Sequence, residues 1–175
     1  MRIVVTGSNG QLGRELTRVL ESQRQHELLG LDLPEHDLTD RDHVLSVMTQ
    51  WVPDLIIHGA AFTAVDVCET EIATAYAVNC GATRFIADAA RRCGAHVVYV
   101  STDYVFDGTK PSPYVEWDRP APESVYGATK LGGEMEIDPG WTIARTSWVC
   151  SSHGNNMVKT LLAPCGRTRH GEVRR

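Results

Sequence analysis

Two side chains suited to moving a proton stand four positions apart in the stretch VYGATKLGGE (125–134): Tyr126 and Lys130. A phenol titrates near 10 in water, and an ammonium one helical turn away favours the phenolate and lowers that value. A pair arranged in this way can protonate a carbonyl oxygen while a hydride reaches its carbon. The chain has five tyrosines and three lysines, so a match at this spacing arises by chance about one time in ten. Residues at i and i+4 also commonly just share a solvated helix face. The surroundings of the pair therefore decide. The apolar run HVVYVSTD (96–103) ends in hydroxyls at Ser101 and Thr102. A hydroxyl at Thr102 would hydrogen-bond the same carbonyl oxygen and stabilise the charge developing on it.

A second constellation lies near the N-terminus. GSNGQLG (7–13) places glycines at 7, 10 and 13, after one β-branched run and at the start of a helical pattern. Gly7 permits a tight turn, Gly10 lets backbone approach a pyrophosphate, and Gly13 lets the helix pack on the sheet. The helix N-terminus then offers N–H groups and the positive end of its dipole to the phosphates. Gly7, Asn9, Gly10, Gln11, Leu12 and Gly13 are thus the candidate cradle of a dinucleotide. Asp32 ends the next apolar run, where a carboxylate accepts from the adenosine ribose hydroxyls. It should repel the extra phosphate of NADP, and no arginine follows it directly, so the electrostatics favour NAD. Asp37 and Leu38, in HDLTD, would border the adenine, although Asp37 is equally a turn former.

The elements that must position these residues follow from the apolar pattern. RIVVTG (2–7), HELLGLD (26–32), DLIIHGAA (54–61), HVVYVSTD (96–103) and WTIARTSWV (141–149) read as strands. Helices are expected over 11–23, where Leu12, Leu16, Val19 and Leu20 share a face, and over 38–51, with Thr39 or Asp40 as N-cap. An alanine-rich pattern predicts one long helix from Asp66 to about Arg92. Strands alternate with helices and are continuous apolar runs. That predicts an α/β fold with a doubly wound parallel sheet and helices on both faces. Ligands bind outside the carboxyl ends of such strands, so the helix carrying Tyr126 would come over the same edge. The stretch 104–124 holds four prolines and reads as a long loop, functional or mobile.

Composition excludes several classes. Hydrophobic residues at 42% and charged residues at 22% are those of a soluble globular protein. A net charge of −5 gives no whole-chain attraction to nucleic acid or acidic membranes. The first apolar run is too short for a signal peptide, and none approaches a membrane span. Five cysteines without a C-x-x-C spacing fit reduced thiols in the cytoplasm. The histidines show no metal-ligand spacing, so no metal is assigned.

The G-x-x-G-x-x-G spacing, with STDYVFDG, VYGATKLGGE, ARTSWV, GNNMVKTLL and the segment 59–79, resembles the extended short-chain dehydrogenase/reductase family. Within it the chain is similar to the dTDP-4-dehydrorhamnose reductases, over residues 1 to about 162. The resemblance implies a Rossmann fold and reduction of the 4-keto group of dTDP-4-dehydro-L-rhamnose to dTDP-L-rhamnose. NADPH or NADH would supply the hydride; the family accepts both, which weighs against the electrostatic preference for NAD. Carried over, Thr102, Tyr126 and Lys130 are the catalytic set, and Asp103 holds the sugar or joins the proton network. Ala60, Ala61 and Thr63 would line the cofactor, while Val65, Trp148 and Asn156 would meet nicotinamide or sugar. The implied partner is the nucleotide sugar, a dTDP-4-keto-6-deoxyhexose, with no nucleic acid and no membrane; a homodimer stays open. Dehydratase relatives carry Thr-Asp-Glu where this chain has Thr102-Asp103-Tyr104, which favours simple keto reduction.

Departures from the family pattern are also visible. Gly132-Gly133 should weaken the catalytic helix by about 1 kcal/mol. His58 stands where relatives often have asparagine and reads as a packed strand-end residue. Glu15 resembles a glutamate that joins a metal site between subunits in some relatives, whose partners are expected in the missing region, so metal is left out. The sequence divides into a cofactor domain over 1–162 that carries the catalytic residues and an atypical, arginine-rich 163–175, expected as a disordered tail. The family's C-terminal substrate domain is expected to be largely missing. Two alternatives accompany the reductase reading: a non-catalytic nucleotide-binding regulatory subunit, and an inactive truncated fragment.

Overall fold

The structure, a computed structural model, describes residues 1–154 and 156–165. Five parallel strands form one sheet in the order β2-β1-β3-β4-β5: β1 Arg2–Thr6, β2 Glu27–Leu31, β3 Leu55–His58, β4 His96–Thr102 and β5 Thr142–Thr146. The chain steps from β1 outward to β2, then crosses back to β3 on the other side of β1. Right-handed crossovers in opposite directions put α1 (Gln11–Gln23) on one face and α2 (Arg41–Trp51) on the other. The expected doubly wound sheet with helices on both faces is what forms.

Strand residues alternate between faces. Val4, Ile56 and Val97 point toward α2 and α5 (Ala82–Cys93), where Val44, Met48, Ile86 and Ala90 close the core without exposure. Ile3 and Val5, of the other parity, are equally buried on the α1 side. The α2 cap is Asp40, whose carboxylate accepts from the His43 N–H at 3.0 Å. β2 and β5 are the edge strands, and the first three residues of β5 are exposed.

The long helix expected over 66–92 is instead three pieces. A short α3 (Val65–Cys68) is followed by α4 (Ile72–Tyr76), which runs through a π-helical turn at Ala77–Gly81 into α5. Such turns commonly mark functional positions, and here the extra residue turns the Asn79 amide inward. It accepts from the Phe62 N–H at 2.8 Å and donates to the Phe62 carbonyl and to Thr129 Oγ1, at 3.1 and 3.0 Å. Alanine periodicity carries no signal of that insertion. The break between α3 and α4 frees Glu69 to accept from the Val125 N–H at 2.8 Å, at the start of α6 (Val125–Glu134).

The loop 104–124 is held by its own side chains. Asp107 accepts from the Thr109 N–H and the Tyr114 hydroxyl, Asp118 accepts from the Val115 N–H and Lys110, and Phe106 stacks on Tyr114 with ring centroids 4.2 Å apart. Beyond β5, α7 spans Met157–Cys165; the remainder of the expected tail, 166–175, lies outside the described residues. No helix among the described residues is long and apolar enough to cross a membrane.

Candidate active site

A cavity of about 800 Å³ lies along the carboxyl ends of the strands, at the point where the strand order reverses. Its walls are the segments that leave each strand: Gly7–Gly13 after β1, Asp32–Thr39 after β2, Gly59–Val65 after β3, Val100–Tyr104 from β4, and Thr146–Val149 from β5. α6 adds Tyr126 and Lys130. Residues chosen separately from the sequence therefore meet on one surface: Gly7, Gly10, Gln11, Leu12, Gly13, Asp32, Asp37, Leu38, Ala60, Ala61, Thr63, Val65, Thr102, Asp103, Tyr126, Lys130 and Trp148.

Two others sit outside this lining. Asn9 gives its backbone N–H to Asp32 Oδ2 at 2.8 Å and borders a shallower depression beside Arg14 and Arg18. Asn156 donates to Gln11 Oε1 at 3.1 Å and to the Ser151 carbonyl at 2.9 Å, which ties the segment after β5 to the start of α1. Sequence reasoning missed Leu33, His36 and Val78 on the cavity wall. His36 carries a partner, His43, with Nδ1 and Nε2 3.0 Å apart, and nothing in their spacing announces that contact.

The glycines are required by contact as well as by turn geometry. Gly7 has φ +69°, and a Cβ there would lie 2.9 Å from Ala60 backbone atoms. A Cβ on Gly13 would fall on the Gly7 carbonyl oxygen and Ser8 Cα. Backbone has no rotamer to escape into, so Gly13→Ala is expected to destabilise the fold by about 1–3 kcal/mol. The thermal midpoint should drop by about 3–10 °C. A variant melting with the parent would refute this account of Gly13.

No side chain caps α1 at Gly10, so the positive end of that helix dipole faces the cavity. Asp32 accepts from Asn9 N–H on one oxygen and from Leu33 N–H on the other, both at 2.8 Å. These bonds fix its direction and leave lone pairs for ribose hydroxyls. Asp37 accepts from both the N–H and the hydroxyl of Thr39, at 2.8 and 2.7 Å. Those bonds lower its carboxyl pKa; it forms a turn and borders the cavity at once. The glycine cradle, the uncapped helix and the oriented Asp32 suit a dinucleotide with its pyrophosphate at α1.

At the other end, Tyr126 is 9% exposed and packs edge-on to Tyr104, with ring centroids 5.6 Å apart. Burial raises its phenol pKa, and a hydrogen bond with Thr102 works the other way. Lys130 is 2% exposed; its ammonium donates to the Val100 carbonyl at 2.8 Å and lies 4.1 Å from the Tyr99 ring centroid. Burial pushes Lys130 down to about 7, against the opposing charge of Glu134. Burial is the largest influence on the phenol in this structure and raises its pKa. A raised phenol keeps its proton at neutral pH, the state a proton donor requires.

The two strand-end hydroxyls also part ways. Ser101 donates to Glu134 Oε1 at 2.6 Å. Thr102 donates to Asp103 Oδ1 at 3.1 Å and accepts from Tyr104 N–H at 3.2 Å, beside Tyr126. Of the pair, Thr102 alone borders the phenol.

His58 does more than fill space. Sheet register sets Thr6, His58 and Tyr99 side by side on one face, and His58 is fully buried. Thr83 Oγ1 donates to the Asn79 carbonyl at 2.8 Å, so it accepts from His58 Nε2–H at 3.0 Å. His58 Nδ1 then accepts from the Thr6 hydroxyl at 2.7 Å, and Thr6 accepts from Ala60 N–H at 3.2 Å. Asn79 reaches Thr129, whose hydroxyl donates to the Tyr126 carbonyl at 2.8 Å. The partners fix one neutral tautomer, and burial holds His58 at about 3. The β3 side of the cavity and α6 are joined through this row of buried polar groups.

Known proteins share this fold. Residues 1–173 match the family model described as RmlD substrate binding domain. A dTDP-4-dehydrorhamnose reductase of Aggregatibacter actinomycetemcomitans is 43% identical over 92% of this chain and 56% of its own length. The corresponding reductase of Sinorhizobium fredii is 46% identical over 93% of this chain and 55% of its own. The crystal structure of the Bacillus anthracis dTDP-4-dehydrorhamnose reductase in complex with NADP superposes with a TM-score of 0.90 at 39% identity. That match covers 95% of this chain and 60% of the other. The chain therefore spans little more than half the length of these relatives.

Proposed function

The chain belongs to the RmlD substrate binding domain family, and from that premise we propose that it is the cofactor-binding and catalytic portion of an NAD(P)H-dependent dTDP-4-dehydrorhamnose reductase. The observation that carries the reading is the meeting of Thr102, Tyr126 and Lys130 with the glycine cradle on one cavity. A binding-only subunit has no need of a phenol and an ammonium one turn apart at the nicotinamide end, which favours the catalyst.

Bound NADPH or NADH would supply a hydride to C4 of the keto sugar. Gly7 to Gly13 would hold the pyrophosphate at the start of α1, and Asp32 the adenosine ribose. Ala60, Ala61 and Thr63 would flank the dinucleotide on the β3 side. Tyr126 holds its proton at neutral pH and would give it to the C4 oxygen. Thr102 gives its one hydroxyl proton to Asp103 in this structure and would turn that proton to the same oxygen when substrate is bound. Lys130 would offset the charge left on the phenol. Trp148, 72% exposed with φ +53°, presents a ring at the cavity mouth against which a sugar could lie.

The test is thermal unfolding of the 175-residue chain with and without NADPH and NADH. A ligand that binds only the folded state raises its apparent stability, by about 2.7 kcal/mol at a hundredfold excess over Kd. A rise with either coenzyme, followed by keto-sugar-dependent NADPH oxidation, is the expected result. No rise with either would refute the cofactor assignment. A rise without turnover would leave a dinucleotide-binding fragment.

A further inference from the structure

Lys130 is a buried cation in a site with few charges, and the group that keeps it one is not among the residues already assigned. We propose that Glu134 is a positioning residue: a buried carboxylate, clamped by Arg145 and Ser101, that serves as counter-charge to Lys130 one turn earlier on α6. The inference rests on the reductase reading only in taking Lys130 to act as a cation.

The clamp is built from sheet register. Ser101 on β4 and Arg145 on β5 are paired across the sheet, so their side chains leave the same face together. Ser101 donates to Glu134 Oε1 at 2.6 Å, Arg145 Nε donates to the same oxygen at 2.8 Å, and Arg145 Nη2 donates to Oε2 at 2.6 Å. Glu134 is 6% exposed. The guanidinium lies 5.0 Å from the Phe106 ring centroid, which fixes it from the loop side. Three such donors hold the carboxylate in place. Residues at i and i+4 lie above one another on a helix, so Glu134 sits over Lys130.

The remaining neighbours cannot substitute. On β3, His58 is neutral with its pKa at about 3. On β4, burial raises the Tyr99 phenol well above its usual value. On α6 the Tyr126 phenol is raised, and in the π-helical turn burial raises the Cys80 thiol. The Asp103 carboxylate accepts from Thr102 and acts on Tyr126. Glu134 is the group whose charge opposes the burial of Lys130. Burial brings Lys130 to about 7, so its titration is the readout of that counter-charge.

The experiment uses the chain with ¹³C-labelled lysine. Only Lys110, Lys130 and Lys159 are present, so three Cε resonances are followed against pH, with Lys130 identified by its loss in Lys130→Met. In the parent the Lys130 midpoint should lie near 7. Glu134→Gln removes the counter-charge and should lower that midpoint by about one unit or more. Arg145→Gln removes the competing cation and should raise it. Opposite displacements support the proposal; a midpoint that stays put in both variants, or moves the same way in both, overturns it. Should Glu134→Gln unfold, Glu134→Asp takes its place. It keeps the charge and should hold the midpoint closer to the parent's, and a large fall there would overturn the proposal. The resonances need neither coenzyme nor substrate, so a displaced midpoint without any change in the pH profile of turnover would support the counter-charge and refute the reductase role of Lys130 instead.

Discussion

A Tyr126→Phe chain is expected to reduce a dTDP-4-keto sugar about 10²–10⁴-fold more slowly than the parent, while NADPH raises its thermal midpoint as much as before. The reasoning separates chemistry from packing. Tyr126 belongs to an apolar cluster with Cys68 and Ala75, against which Phe62, Val65 and Val125 pack, and its ring lies edge-on to Tyr104; phenylalanine keeps that packing. Only the hydroxyl is removed. Thr102 keeps Asp103 and the Tyr104 N–H as partners, so no buried group is stranded, and stability should change by less than about 1 kcal/mol. The raised phenol pKa also predicts that Tyr126 contributes no falling limb to the rate below about pH 10. Any alkaline decline nearer neutrality belongs to Lys130. Coenzyme oxidation at the parent's rate in Tyr126→Phe would remove the phenol from the mechanism.

Lys130→Met should act in opposite directions on activity and stability. Methionine retains most of the apolar stem against the Tyr99 ring and discards the charge, so turnover should fall by at least about 10²-fold. The folded chain should nevertheless become harder to unfold. Lysine in an unfolded chain titrates near 10.4, and burial brings Lys130 down to about 7 when folded. Between these values the unfolded chain binds a proton that the folded chain lacks, so this group makes stability rise with pH through that window. Below about pH 7 both states are protonated and the penalty of the buried charge is present in full, on the order of 4 kcal/mol. From pH 6 to pH 9 the parent should gain about 2–3 kcal/mol from this residue, and Lys130→Met should lose that part of the slope. Urea unfolding at the two pH values measures it. Equal slopes in both chains would show that Lys130 is not held at a depressed pKa. A gain in stability on deleting Lys130 is what the proposed catalytic role predicts, since such charges are held for chemistry at a cost in stability.

These two outcomes rest on different kinds of information, and the difference runs through the molecule. The strand-glycine-helix unit at 2–23 is legible in the sequence because each glycine answers a local requirement: a turn, a close approach, a crossing of helix and strand. The alternation of apolar runs with helical patterns set the parallel sheet, and the sheet brought Asp32, Thr102, Tyr126 and Trp148 to one edge without any knowledge of contacts. Spacing of four on α6 was enough to put Tyr126 and Lys130 on one side of a helix.

What the sequence could not carry was the environment of those residues. The π-helical turn at Ala77–Gly81 is selected by the bonds of the Asn79 amide to Phe62 and Thr129, partners 17 and 50 residues away. Local periodicity holds no trace of them. His58 read as packing, and it became a junction because Thr6 and Thr83, 52 and 25 positions distant, meet its two ring nitrogens. The upward shift of the Tyr126 phenol has the same origin. Proximity of an ammonium is written in a spacing of four residues, but loss of water around a side chain is the sum of every element that closes over it, and only the tertiary structure performs that sum. Sequence by itself determined which groups could do chemistry and on which edge of the sheet they stand; the packed fold decided their charge states, because desolvation is a property of the whole.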